Sequence, residues 1–372
     1  MPIYKTGKKN KDGKSQYRVT YNYTDNNGKY RQLSKIVYGA TEAKFAESQL
    51  QAKSLSAPAE SFTVQGLFDI YMQAQKNEIR EASLDKSRRI LKGHVLPFFE
   101  RTKLEKLNVS LLQEWKNNLA ERSLKISTKQ NIFRTFSAML NFAVKMELIH
   151  SNPLQKLGNI KDAYTFNNFE ETLQYYTAEQ YKKFISALPP TSYQDRQYYT
   201  FFSIAFYTGM RKGEINALRW QDITGSVLSV NRSVTQKIKG KENVFSPPKN
   251  TASQRKLQIP KPLLEILKFQ KEAQQKEFKN WNESMLVCGG DNPLRDTCIS
   301  NWNIKTAKAA NLPAIRIHDF RHTHATLLIN EGISAGEIAR RLGHSNVTTT
   351  LKVYSHLYPR EEERALKILN EI

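Results

Sequence analysis

Polar and apolar side chains alternate over residues 16–24: Tyr17, Val19, Tyr21 and Tyr23 fall on one side, and Arg18, Thr20, Asn22 and Thr24 on the other. A period of two predicts a half-buried strand, because successive side chains of extended backbone point to opposite faces. Asp25-Asn26-Asn27-Gly28 is a strong turn signal, and residues 29–37 return as a second strand. Residues 42–53 have helical composition, and small residues around Pro58 predict a linker over 54–60.

From residue 61 to 157 the period becomes helical throughout. Ser110-x-x-Gln113 and Ser127-x-x-Gln130 read as capping boxes, in which hydroxyl and amide satisfy orphaned backbone donors, so they predict two helix starts. After the second, Ile132, Phe136, Leu140 and Ala143 form a core stripe, while Lys129, Arg134 and Lys145 lie off it. Asn152-Pro153 is expected to end the last helix, and residues 156–172 read as a second linker. A third capping box, Thr177-x-x-Gln180, opens the remainder, followed by a buried helix through Phe201, Ile204 and Ala205. A β segment is expected over 226–260, interrupted by Gly240 and Pro247-Pro248, with helices over 262–279, 296–311 and after Arg321. The pattern predicts an α+β multidomain chain. A small β-sheet-plus-helix domain spans 1–54, an all-α domain 61–157, and a mainly α domain with a small antiparallel sheet 172–372.

Charge narrows the partner. The chain carries 57 Lys+Arg against 35 Asp+Glu, net +22, an excess that calls for a polyanion. Nucleic acid is favoured over an acidic membrane surface, since the most hydrophobic stretch, residues 201–207, is far short of a bilayer span. Arg18, Thr20 and Asn22 would project from one sheet face of a width that enters a major groove, and Lys129 and Arg134 could touch phosphates. Only Cys288 and Cys298 occur, and no apolar leader opens the chain, so a cytoplasmic protein without disulfides is expected.

The chemistry concentrates near the C-terminus. Ile317-His318-Asp319-Phe320-Arg321-His322 and Leu342-Gly343-His344-Ser345-Asn346 precede Tyr354. A tyrosine downstream of two histidines and an arginine is a plausible covalent nucleophile, because cations neutralise the charge that builds on an attacked phosphate. Tyr207-Thr208-Gly209-Met210-Arg211-Lys212-Gly213-Glu214 supplies a second arginine after a glycine turn. His318, His322 and His324 could suggest zinc, but no Cys or acidic ligand completes a familiar spacing, and His322 and His324 are expected in the core or behind the site. Tyr358, one helical turn beyond Tyr354, is the rival nucleophile.

Arg211, His318-x-x-Arg321, His344 and Tyr354 together resemble the ordered catalytic set of the tyrosine recombinases, the phage and conjugative-transposon integrases in particular. The resemblance implies a catalytic domain over 172–372, a helical core-binding domain over 61–157 and an arm-site-binding domain over 1–54. It also implies a lysine in a β-hairpin turn, and Pro248-Lys249-Asn250-Thr251-Ala252-Ser253-Gln254-Arg255 assigns Lys249 ahead of Lys239 and Lys241. In such an enzyme Arg211 and Arg321 clamp the phosphate, Tyr354 forms a 3′-phosphotyrosyl link, and Lys249 protonates the leaving 5′ oxygen. His318 is placed to help deprotonate Tyr354 or to accept from it, His344 to donate to the phosphate, and Glu214 to orient Arg211. No metal or cofactor is implied. The implied partners are double-stranded attachment sites of core and arm type, a homotetramer on DNA, and excisionase and DNA-bending accessory proteins. A type IB topoisomerase and a non-catalytic DNA-binding regulator are the competing readings.

Overall fold

The structure, a computed structural model, describes residues 3–10, 13–24, 30–55, 62–161, 174–238, 240–248, 251–357 and 369–370. The chain divides into two compact units, Met1–Thr165 and Phe166–Ile372.

The first unit holds two separate cores. Strands β1 (Ile3–Lys9), β2 (Ser15–Thr24) and β3 (Tyr30–Tyr38) form an antiparallel sheet in that order, and helix α1 (Ala40–Leu55) covers one face. Val19, Ala43, Ala46 and Leu50 are buried between them, with Tyr17 and Tyr21 packed alongside. The register pairs Arg18 with Tyr4 and Ile36, Thr20 with Ser34 and Asn22 with Gln32, so these positions share the opposite face. Strand β1 escapes the alternation rule because its side chains after Ile3 are all exposed. The Asp25-Asn26-Asn27-Gly28 turn and most of the 54–60 linker lie outside the described residues.

Helices α2 (Val64–Gln75), α3 (Glu81–His94), α4 (Leu96–Phe99), α5 (Val109–Glu121) and α6 (Ile126–Lys145) build the second core. Ile132, Phe136, Leu140 and Ala143 are fully buried, and Trp115 stacks among Phe99, Phe133 and Phe136 while its indole N–H donates to the His94 carbonyl at 3.0 Å. Two expected helix starts are displaced by two residues. Helix α5 is capped by Asn108, whose side chain accepts from Leu111 N at 2.9 Å, and α6 starts after Lys125 without a side-chain cap. Gln113 turns instead to Asn117 on the same helix. Helix α6 also ends earlier than Asn152-Pro153: Met146 closes it, and Asn152 caps a short 3-10 turn, Pro153–Lys156. Order continues to Ile160, which is buried and whose carbonyl accepts from Gln130, so the expected linker begins later than residue 156.

In the second unit the Thr177–Gln180 capping box opens α7 (Ala178–Ser186) as expected. Helix α8 (Tyr193–Thr208) is buried along most of its length, and α9 (Lys212–Ile215) follows after one tight turn. Two small antiparallel sheets come next. Strands β4 (Ile223–Thr224), β5 (Val227–Val230) and β8 (Arg255–Gln258) form one, and β6 (Ser233–Thr235) and β7 (Val244–Ser246) the other. Helices α10 (Lys261–Glu277), α11 (Asp296–Ala309), α12 (Asp319–Asn330), α13 (Ala335–Leu342) and α14 (Val347–Tyr354) complete the unit. Phe320, fully buried against Phe184 and Phe202 with ring centroids 5.3 Å away, anchors the first turn of α12 and thereby fixes its neighbour Arg321.

Candidate functional site

The site forms where two chain reversals meet. At the end of α8, Gly209 adopts φ 63°, and a Cβ there would lie 2.7 Å from His324 and 2.8 Å from Leu342. Only glycine suits that conformation and that space. Arg211 follows as the cap of α9. Its guanidinium Nη1 donates to Glu214 Oε1 at 2.8 Å, and its backbone N–H to Glu214 Oε2 at 3.0 Å. Gly343, with φ 70°, closes α13 and delivers His344.

Arg321 joins the two. It is 3% exposed, and its Nη1 donates to the Gly209 carbonyl at 2.9 Å while Nη2 donates to the Leu342 carbonyl at 2.6 Å. The acceptors lie two positions before Arg211 and His344 respectively, so one buried guanidinium sets the position of both segments. Burial, then the neighbouring Arg211 cation, push the Arg321 pKa down, yet a guanidinium keeps its charge in a protein. Such a crowded cation favours any anion that enters the cleft.

Glu214 is 4% exposed and also accepts from Arg255 Nη2 at 2.9 Å. Burial alone would raise its carboxyl, but Arg255 and Arg211 outweigh it and hold the group below the usual carboxylate range. Arg255 ends the turn motif that carries Lys249. It is nearly buried and its Nε donates to the Arg341 carbonyl at 2.6 Å, tying β8 to the end of α13. The sequence signal for it is the absence of any acidic neighbour along β8, which leaves its charge to be answered elsewhere in the fold.

His344 is half-buried, with Nδ1 2.8 Å from the Thr350 hydroxyl. Burial and then Arg321 and Arg211 pull its pKa down to about 4. His318 has an exposed edge at the start of α12, and crowding by protein atoms, then His322 and Arg321, lowers its pKa; the open edge softens that desolvation. Tyr354 is 1% exposed, and burial raises its pKa although Arg321 opposes the shift. Its hydroxyl lies 2.7 Å from His322 Nδ1. The tyrosine's hydrogen bond therefore runs to His322, the neighbour of Arg321, whereas the resemblance pairs the tyrosine with His318. His324 is a packing residue, its Nδ1 2.8 Å from the Phe206 carbonyl. Lys249 and Tyr358 lie outside the described residues.

Among the described residues no three His, Cys, Asp or Glu side chains cluster as metal ligands, and no helix is long and apolar enough to cross a membrane. The other basic candidates lie in the first unit. Arg18 and Asn22 are exposed on the open sheet face, and Thr20 between them is 8% exposed; together with Tyr4, Gln32 and Ile36 they line a shallow groove. Lys129 donates to the Ala120 carbonyl, and Arg134 is exposed beside Gln130.

Arg211, Arg321, His344 and Tyr354 are thus gathered on adjoining elements of the second unit, joined through the buried Arg321 guanidinium. The model of the phage integrase family matches residues 174–361, and that of the phage integrase N-terminal SAM-like domain matches residues 63–120. The chain belongs to the phage integrase family. It is 27% identical to the ICEBs1 integrase of Bacillus subtilis strain 168, over 98% of this chain and 99% of that protein. In fold it is similar to the Tn1549 transposon integrase in complex with transposon right end DNA, with TM-score 0.64 and 21% identity over 83% of this chain and 99% of that one. It is also similar to a lambda integrase tetramer bound to a Holliday junction, with TM-score 0.55 and 18% identity over 94% of this chain and 97% of that one. This protein is a site-specific recombinase of the tyrosine class, acting in the recombination of mobile elements.

Proposed function

We propose that Tyr354 is the nucleophile and that Arg211, Arg321 and His344 receive the phosphate it attacks. The observation that carries this reading is Arg321, whose paired bonds to the Gly209 and Leu342 carbonyls hold the Arg211 and His344 segments around one point. A DNA phosphodiester entering there meets fixed cations, which stabilise the charge that builds on its non-bridging oxygens. The phenolic oxygen bonds to phosphorus as the 5′ oxygen leaves, which conserves the bond energy in a 3′-phosphotyrosyl link for religation. Lys249 is assigned from the sequence as the acid that protonates the leaving oxygen. Glu214, paired with Arg211 and Arg255, positions the first arginine. His318, at the open edge of the cleft, then serves the phosphate.

The substrates are double-stranded attachment sites. The helical segment 61–157 takes the core site, and the open sheet face of residues 1–54, with Arg18, Thr20 and Asn22, takes an arm site. Lys129 and Arg134 contribute phosphate contacts. Exchange of two duplexes takes four copies, a reading supported by the similarity in fold to a tetramer held on a Holliday junction. Excisionase and DNA-bending proteins set the direction, and the work is done in the cytoplasm of a bacterial host. The test is covalent trapping on a nicked suicide duplex. Tyr354→Phe is expected to abolish the trapped complex while leaving DNA binding nearly intact, since one hydroxyl is lost. Trapping that survives in Tyr354→Phe and disappears in Tyr358→Phe would move the nucleophile.

A further inference from the structure

His318, His322, Ala325 and Ile329 recur at helical spacing and share one face of α12. The apolar half of this stripe, Ala325 and Ile329, is fully buried in a small core with Ile338, Leu342 and Tyr354. The phenol ring of Tyr354 therefore lies on the apolar half, and its hydroxyl reaches the polar half, 2.7 Å from His322 Nδ1. The two rings meet at an interplanar angle of 62° with centroids 5.6 Å apart. The His318 ring meets His322 nearly perpendicular at 5.2 Å between centroids, and His344 Nδ1 is engaged by Thr350. We propose that His322, and not His318, is the base that takes the proton of Tyr354.

This assignment rests on Tyr354 being the nucleophile. With the proton on Nε2, His322 Nδ1 offers a lone pair to the phenolic O–H. During attack that proton passes to Nδ1 while the phenolic oxygen bonds to phosphorus and the phosphorus–5′ oxygen bond breaks. The departing oxygen takes a second proton from a separate acid. On religation the imidazolium returns its proton to the phenolic oxygen as the 5′ hydroxyl attacks, so no oxidant or further reactant enters. The His318 ring and the Tyr354 hydroxyl contact His322, and the charges that act on it are Asp319, Arg316 and Arg321. Burial, aided by the arginines and opposed by Asp319, keeps the ring neutral and able to accept. The other histidines have different work: His318 at the open edge can reach a bound phosphate, and His344 is oriented by Thr350.

The test is single-turnover cleavage of a nicked suicide duplex by the full chain, measured against pH. His322→Asn keeps a polar atom near the Nδ1 position but removes the basicity. It is expected to lose roughly 10²-fold or more, the scale of a positioned base, to recover as pH rises, and to keep its DNA affinity and melting temperature. Placing 3,5-difluorotyrosine at 354 supplies a more acidic phenol and should restore much of the His322→Asn loss, a rescue that a purely structural role would not give. The same replacement should not rescue His318→Asn. Cleavage by His322→Asn within about two-fold of the unaltered chain, or a loss that fluorotyrosine leaves untouched, overturns the proposal, as does selective rescue of His318→Asn. Covalent product from Tyr354→Phe, measured alongside, would instead remove the nucleophile itself and is distinct from every His322 outcome.

Discussion

At the residue scale the two site arginines differ in what else they do, and the difference can be measured. Arg211 is part-exposed and its partner Glu214 keeps Arg255 when Arg211 is removed. Arg211→Ala should therefore fold normally and lose at least roughly 10²-fold in single-turnover cleavage, the scale of one preorganised donor. Arg321→Ala should lose as much cleavage and also stability, because the Gly209 and Leu342 carbonyls would forfeit a charged donor, at about 1–3 kcal/mol for each group left unsatisfied. A urea melt beside the cleavage assay separates the two. Protonation gives a second residue-scale test. Burial depresses His324 to about 3, and burial followed by Arg321 depresses His344 to about 4, against about 6.5 in the unfolded chain. The unfolded chain therefore binds protons first as pH falls below about 6.5, so the stability these groups contribute is complete above that pH and is lost on the way down to about 3. The melting temperature should drop across that window, and His324→Gln, lower in stability at neutral pH, should show a shallower drop.

At the element scale the reversals decide whether the site exists. Gly209→Ala places a methyl 2.7 Å from His324 and 2.8 Å from Leu342 in a left-handed backbone. The conformation alone costs about 1 kcal/mol or more, and the clash pushes α8 from the end of α13, where Arg321 holds them together. Reduced thermal stability with a larger fall in cleavage than in DNA binding is the expected result; unchanged cleavage would detach the Gly209 turn from the site. Much at this scale was legible in the sequence. Alternation revealed β2, the stripe on α6 revealed a buried face, and the ordered Arg211, Arg321, His344 and Tyr354 series falls on segments that the fold brings together. The errors have physical causes. Ser110 and Ser127 matched a capping box, but Asn108 offered a better acceptor two residues earlier, and Lys125 began α6 with no cap at all. The pairings of Arg255 with Glu214 and of His322 with Tyr354 are not legible in the sequence because the partners lie 41 and 32 residues away and no local pattern encodes such contacts. His322 did share a helical face with His318, Ala325 and Ile329, a periodicity that could have flagged it.

At the scale of the whole molecule, net charge and the open sheet face bear on whether one chain engages two kinds of DNA site, as proposed above. The sheet is supported by its own core of Val19, Ala43, Ala46 and Leu50 on one side, while Arg18 and Asn22 stay exposed on the other. Polar side chains on that face are joined across strands, Gln32 to Asn22 and Gln16 to Tyr38, which restricts their rotamers. Each lost phosphate contact lowers the salt dependence of binding by about one unit of slope in log affinity against log salt. Deletion of residues 1–54 should therefore leave core-site cleavage intact, reduce the salt slope on full attachment-site DNA, and erase a distal footprint together with integrative recombination. Paired substitution of Arg18 and Asn22 by alanine should do the same in an intact chain, with the covering core untouched. Footprints, salt titrations and recombination on one mapped attachment site decide it. If both the deletion and the paired substitution kept the distal footprint and full recombination, the sheet face would not be an arm-site reader, and a simpler recombinase that uses its core sites alone would be the better description.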